Sequence, residues 1–204
     1  SYTLSLHDAL PICQGRANRD QNWPARAGKG SAFLGGVREP MLVVWPGVVE
    51  GGTTCDQPVM IEDFFPTVLE LAGVEHYTTR QTIDGRSFAG VLRHPSRRYR
   101  RPIVWHFPNL WGETQNQEEG YGAYSALLDG DWHLIYTWET GRLRLYNIRR
   151  DIGEQHDLAS EEPARVRRMA RQLGERLRRA AAQRPMFRAT GEPCPWPDEV
   201  RTGK

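Results

Sequence analysis

Lys29 lies between two glycines, in Gly28-Lys29-Gly30. A lysine ammonium is a compact point charge on a flexible stem. Glycine on either side lets the backbone come close to a bound group. Such a tripeptide can place a fixed cation where negative charge sits during a group-transfer reaction. It is equally the pattern of an ordinary exposed loop lysine, because three residues are not specific by themselves. Nucleophiles are scarce. Cys13 is followed by Gln-Gly-Arg, Cys55 by Asp-Gln-Pro and Cys194 by Pro-Trp-Pro. The cysteines form no CxxC pair and have no histidine at metal-binding spacing, so neither a zinc site nor a disulfide framework is indicated. His106 sits in Trp105-His106-Phe107-Pro108, before a long loop containing Trp111.

The elements that must hold these residues follow from periodicity. MLVVW (41–45) is a short apolar run closed by Pro46-Gly47, which suits a strand buried on both faces. Such a strand needs sheet neighbours, and nothing before it supplies them. EDFFPTVLELAGV (62–74) predicts a helix. Pro66 is tolerated in its first turn, Phe65, Val68, Leu69 and Ala72 repeat at helical spacing, and Gly73 ends it. IVWHF (103–107) predicts a strand. AYSALL, DWHLIYTW and RLRLYNI follow as a meander, with Asp129-Gly130 as a hairpin turn. Trp132, Leu134, Tyr136 and Trp138 alternate onto one face of that sheet, and His133, Ile135 and Thr137 onto the other.

Residues 163–183 predict the clearest helix, with Pro163 in its first turn. Val166, Met169, Leu173, Leu177 and Ala180 form one apolar stripe that should pack on the sheet. Its arginines mostly occupy the other faces and predict a solvated surface. His133, His156 and His94 are expected on a sheet surface or in loops. The tail from about Arg184 is Pro-rich and irregular.

Composition narrows the function classes. The 204 residues are 39% hydrophobic and 25% charged, with a formal net charge of +2. That describes a globular chain, and the charge is too weak to argue for nucleic acid. The opening, SYTLSLHDALPIC, lacks the basic region and unbroken apolar stretch of a secretory signal, and no run approaches the ~20 apolar residues of a membrane span. Tyr2 to Ile12 can instead be back-translated into a string resembling the end of a common short-read sequencing adapter. Residues 1–13 are therefore set aside from fold reasoning, and the expectation is a chain whose gene continues upstream.

At AGKGSAFLGGVREPMLVVWPGVVEGG (27–52) the chain resembles the formylglycine-dependent sulfatases of the alkaline-phosphatase-like superfamily. EDFFPTVLELAG, IDGRSFAGVL, DGDWHLIY and LYNIRRDIGEQHDLA follow in family order, over roughly residues 22–180. The resemblance implies hydrolysis of a sulfate ester by a formylglycine made from cysteine in Cys-x-Pro-x-Arg or Cys-x-Ala-x-Arg, with Ca2+ held by Asp and Asn. No such motif is present here. The Asp-Asn metal pair normally lies shortly before Gly-Lys-Gly, and Asp20 and Asn22 are not adjacent and lack the family context. Lys29 matches the family lysine that contacts sulfate oxygens. Where the family often has Tyr-Glu-Gly-Gly, this chain has Phe33-Leu34-Gly35-Gly36. His106 with nearby aromatics suits a sugar sulfate, the histidine donating a hydrogen bond and a ring stacking on the sugar. It suits equally well a half-buried histidine at a strand end.

The expectation is thus an α/β chain. Residues 14–100 are the remnant of an alkaline-phosphatase-like catalytic core, 101–183 a subdomain of antiparallel sheet and one packed helix, and 184–204 an irregular tail. Function is expected to be that of a sulfatase fragment, inactive alone, whose parent acts on a sulfate ester, plausibly of a carbohydrate. The catalytic residue is Lys29, the substrate-binding residue His106, and no metal ligand is assigned; calcium and formylglycine belong to the parent. Neither nucleic acid nor membrane is an expected partner. The resemblance implies a periplasmic or extracellular parent. The alternatives are a phosphatase, phosphodiesterase or phosphonate hydrolase of the same superfamily, and a non-catalytic basic binding module.

Overall fold

The computed structural model describes residues 22–74, 76–110 and 116–200; residues 1–13, read above as adapter-like, Asp20 and Trp111 lie outside them. In chain order the regular elements are α1 (Leu34–Val37), α2 (Phe64–Leu71), α3 (Ala89–Arg93), β1 (Ile103–Phe107), β2 (Tyr124–Asp129), β3 (Trp132–Thr137), β4 (Arg142–Asn147) and α4 (Pro163–Arg179). The chain divides into two compact units: residues 40–101 form one, and residues up to 39 together with those from 102 onward form the other. The sequence reading had placed 14–100 in one piece. Residues 22–39 instead go with the sheet, because their backbone and side-chain hydrogen bonds run to residues 118–120 and 154.

The larger unit is built on a four-stranded antiparallel meander in the order β1-β2-β3-β4. Its register pairs Trp105 with Ala126, Leu127 with Leu134, and Leu134 with Leu145. The predicted alternation holds on one face, where Leu134, Tyr136, Trp138 and Leu145 join Val166, Met169, Leu173 and Leu177 of α4 in one core. Ala180 lies past the end of α4 and is exposed. The opposite face is covered too. Ala126, Ile135, Tyr124 and Tyr146 pack against Ala32 and Phe33. His133, expected on a sheet surface, is for that reason fully buried at 0% exposure.

Beyond α4 the described residues form no helix or strand, apart from one bridge between Met186 and Pro193, but they are pinned. The Tyr136 hydroxyl donates to the Pro195 carbonyl at 2.7 Å, Trp196 meets Trp138 edge-to-face at 5.7 Å, and Arg178 grips the Asp198 carboxylate with two N–H groups at 3.1 and 2.5 Å. Cys194 is buried with this core, and burial pushes its thiol up.

The smaller unit is organised by a buried carboxylate. Asp63 accepts the backbone N–H groups of Met60 and Arg86, both at 2.8 Å, and pairs with Arg101 at 2.6 Å. Thr67 donates to the Asp63 carbonyl and accepts the Phe88 N–H. The EDFFPT and IDGRSF blocks are thereby sewn together, which local periodicity alone does not predict. Two expectations change here. MLVVW belongs to no strand, with Leu42 96% and Val44 90% exposed. Among the described residues no strand pairs with it, so no ladder forms there. The α2 stripe also faces outward, with Phe65 and Val68 about half exposed, while Pro66 and Thr67 are the buried positions.

Candidate functional site

Lys29 sits at the exposed tip of a turn closed by the Ser31 N–H donating to the Gly28 carbonyl at 3.0 Å. Gly30 has φ +90°, a conformation that L side chains rarely adopt, so the glycine after the lysine is what the turn requires. The next glycines work by size. A Cβ on Gly35 would run into the Arg26 and Ala27 carbonyls, and one on Gly36 into those of Ser31 and Gly28. The GKGSAFLGG segment is a loop folded back so tightly on its own start that only hydrogen fits at the crossing.

Three groups hold this loop. On one side, the Ala32 N–H donates to the Gly120 carbonyl at 2.9 Å and the Ser31 hydroxyl to the Glu119 carbonyl at 2.6 Å. At its base, the Asn22 side-chain amide donates to the Ala27 and Gly35 carbonyls at 3.2 and 3.0 Å. From the β4–α4 connection, Glu154 accepts the Leu34 N–H at 2.7 Å. Phe33, fully buried, lies under the Arg26 guanidinium at 4.0 Å and within 4.9 Å of that of Arg144. Burial pulls the Arg144 guanidinium down from its usual range, with the nearby Tyr146 acting in the opposite sense. Burial likewise pushes the Tyr121 phenol up, against a hydrogen bond with the Gly28 backbone. The result is a cation carried on a rigid turn, the arrangement that stabilises charge on a bound oxyanion at little cost in reorganisation.

His106 occupies a different place. Its Nε2–H donates to the Gln183 carbonyl at 2.9 Å, which leaves Nδ1 to accept from the Ser125 hydroxyl at 2.8 Å. Ser125 in turn accepts the Trp138 indole N–H at 2.9 Å. Desolvation lowers the His106 pKa, opposed by the bond to Gln183. The sugar-binding expectation thus meets a ring with no spare nitrogen; His106 here joins β1 to the chain beyond α4. Asn22 donates its side-chain amide N–H groups to the loop carbonyls of Ala27 and Gly35, and Asp20 lies outside the described residues. Among the described residues no group of three or more His, Cys, Asp or Glu side chains is placed to hold a metal ion. The described residues alone supply no such cluster for a calcium ion.

Sequence reasoning missed Arg26, Tyr121, His133 and Glu154. Glu154 falls inside the LYNIRRDIGEQHDLA block, but an acid in a polar loop gives no local sign of burial. His133 shows a period-2 pattern that cannot say whether a second layer covers its face.

A meander is packed by one helix and carries a lysine loop on its other face. Residues 31–183 match the family described as N-sulphoglucosamine sulphohydrolase, C-terminal, and the chain belongs to it. A sulfatase of Formosa agariphila is 34% identical over 147 residues, covering 70% of this chain and 26% of that protein. The N-acetylgalactosamine-6-sulfatase of Sus scrofa is 36% identical over 122 residues, 59% of this chain and 21% of that one. The mouse steryl-sulfatase is 36% identical over 101 residues, 50% of this chain and 16% of that one. The chain therefore spans about a quarter or less of these relatives. Among solved structures, Ps i-CgsB in complex with k-i-k-neocarrahexaose superposes with a TM-score of 0.59 at 27% identity, covering 76% of this chain and 32% of that one.

Proposed function

We propose that this chain is the C-terminal part of a sulfuric ester hydrolase acting on a sulfated carbohydrate, and that Lys29 is its contribution to the sulfate site. The observation that carries this reading is the Gly28–Gly36 loop: an exposed lysine on a turn whose backbone is fixed from Gly120, Asn22 and Glu154. An ammonium held there offsets charge on sulfate oxygens as the ester bond breaks. A carbohydrate substrate is supported by the pig relative named for N-acetylgalactosamine 6-sulfate and by the neighbour bound to a neocarrahexaose.

The nucleophile and the metal are proposed to lie in a part of the parent outside this chain. Family membership supports a formylglycine and Ca2+ there; bound calcium would polarise the sulfate. The residues that remain give this chain a cation and a scaffold, and no sulfate-ester turnover of its own.

Long-read sequencing across the 5′ boundary of the gene tests the reading. It predicts a continuous upstream frame encoding Cys-x-Pro-x-Arg or Cys-x-Ala-x-Arg. Serine or threonine at the nucleophile position of an otherwise similar core would contradict a formylglycine made from cysteine and favour the phosphate-ester alternative on the same fold.

A further inference from the structure

Glu154 is a carboxylate at 0% exposure with a left-handed φ of +49°. Both features are unfavourable: a non-glycine residue rarely adopts that backbone, and a buried carboxyl needs partners for its oxygens. Such a conformation persists where the surroundings over-determine it, and here they do. Oε1 lies 2.6 Å from His133 Nδ1, and Oε2 accepts the Leu34 N–H at 2.7 Å. The Glu154 backbone carbonyl accepts from Arg26 Nη1 at 2.9 Å, and the Arg26 carbonyl accepts the Gly35 N–H at 2.9 Å.

One residue therefore holds the Lys29 loop at both ends. Its side chain fixes Leu34, after the turn, and its backbone fixes Arg26, before it. His133 supplies the orientation. Its ring is buried on β3, touches Trp105 edge-to-face at 5.8 Å, and among the described residues Nε2 has no hydrogen-bond partner. Glu154 is thus the polar group that the imidazole addresses, and the imidazole keeps the carboxylate turned toward Leu34. Ala27, the residue before Gly28, is also left-handed at φ +61°. The loop is held in a shape it would not take by local preference.

We propose that Glu154, oriented by His133, is a positioning residue for Lys29, setting where the ammonium stands by clasping the loop that carries it. The role in sulfate hydrolysis rests on the assignment of Lys29 above; the clasp itself does not. Native-state amide hydrogen exchange on the 204-residue chain separates the two, because it needs neither sulfate nor turnover. In Glu154→Ala, exchange at Ser31, Leu34 and Gly35 should rise about tenfold or more, while Leu134, Ile135 and Leu145 in the sheet stay protected. Glu154→Gln should restore most of the protection, since its amide oxygen can accept from Leu34 and its NH2 can donate to His133 Nδ1. An equal rise in loop and sheet, or no change at Leu34, would overturn the proposal. If Glu154→Ala does not fold, Arg26→Met removes the guanidinium and with it the bonds to the Glu154 and Glu118 carbonyls. Faster exchange at Ser31 and Gly35 with an unchanged Leu134 supports the clasp, and unchanged exchange at all three contradicts it.

Discussion

The Glu154 carboxylate accepts the backbone N–H of Leu34 at 2.7 Å across 120 positions of sequence. That bond joins the β4–α4 connection to the lysine loop, and it makes the sheet's second face a support for the site. The covering of that face also predicts where substitutions will hurt.

The Gly36 position tests the tight folding of the loop. Gly36→Ala places a methyl against the Ser31 and Gly28 carbonyls, which are backbone and cannot swing aside. Overpacking of this kind costs about 1–3 kcal/mol. The loss should appear in the denaturant midpoint, together with faster exchange at Ser31. An alanine that leaves both unchanged would mean the loop has room the geometry denies.

The seam between α4 and the sheet should behave as ordinary core. Leu173→Ala empties a fully buried position and should cost ~2–5 kcal/mol by chemical denaturation. Arg167→Ala and Arg168→Ala, on the exposed face, should stay within about 0.5 kcal/mol of the parent chain.

Ser125 links the buried Trp138 to the half-buried His106. Ser125→Ala leaves the Trp138 indole N–H and His106 Nδ1 without their shared partner, a loss of ~1–3 kcal/mol. Melting of this variant against Ser125→Thr, which keeps the hydroxyl, separates the hydrogen bonds from packing.

Two pH effects follow, with opposite signs. His106 has a folded pKa below 6.5 because burial disfavours its charged form. The unfolded chain therefore takes up the proton first, so the His106 contribution is complete above the unfolded pKa and is lost as pH falls below it. The drop in Tm from about pH 8 to about pH 5 should shrink in His106→Gln. At the other end, burial pushes the Tyr124 and Tyr146 phenols up to about 12. Their stabilisation is present below the unfolded value of 10 and is lost as pH rises toward 12. Tyrosinate absorbance should show both rings ionising well after free tyrosine.

Much of the larger unit was legible in the sequence. Asp129-Gly130 and the alternation from Trp132 to Trp138 specify the hairpin and its apolar face, and the Val166–Leu177 stripe specifies the helix that covers it. These are local signals, and the partners they call for lie within the same stretch of chain. The rest depends on contacts distant in sequence. MLVVW, Phe65 and Val68 read as buried because they are apolar, yet among the described residues nothing covers them fully. Lys29 was visible only through a family pattern around it. Glu154 and His133 were invisible because a polar side chain does not reveal by its neighbours in sequence that a loop over a hundred residues away will cover it.

The most direct test of the account is Lys29→Ala in the intact parent enzyme, assayed on a sulfated oligosaccharide. Removing a fixed cation from the transition state should lower kcat about 100-fold or more, with Lys29→Arg recovering part of it. A Lys29→Ala enzyme with unchanged kcat would contradict the placement of this loop at the sulfate.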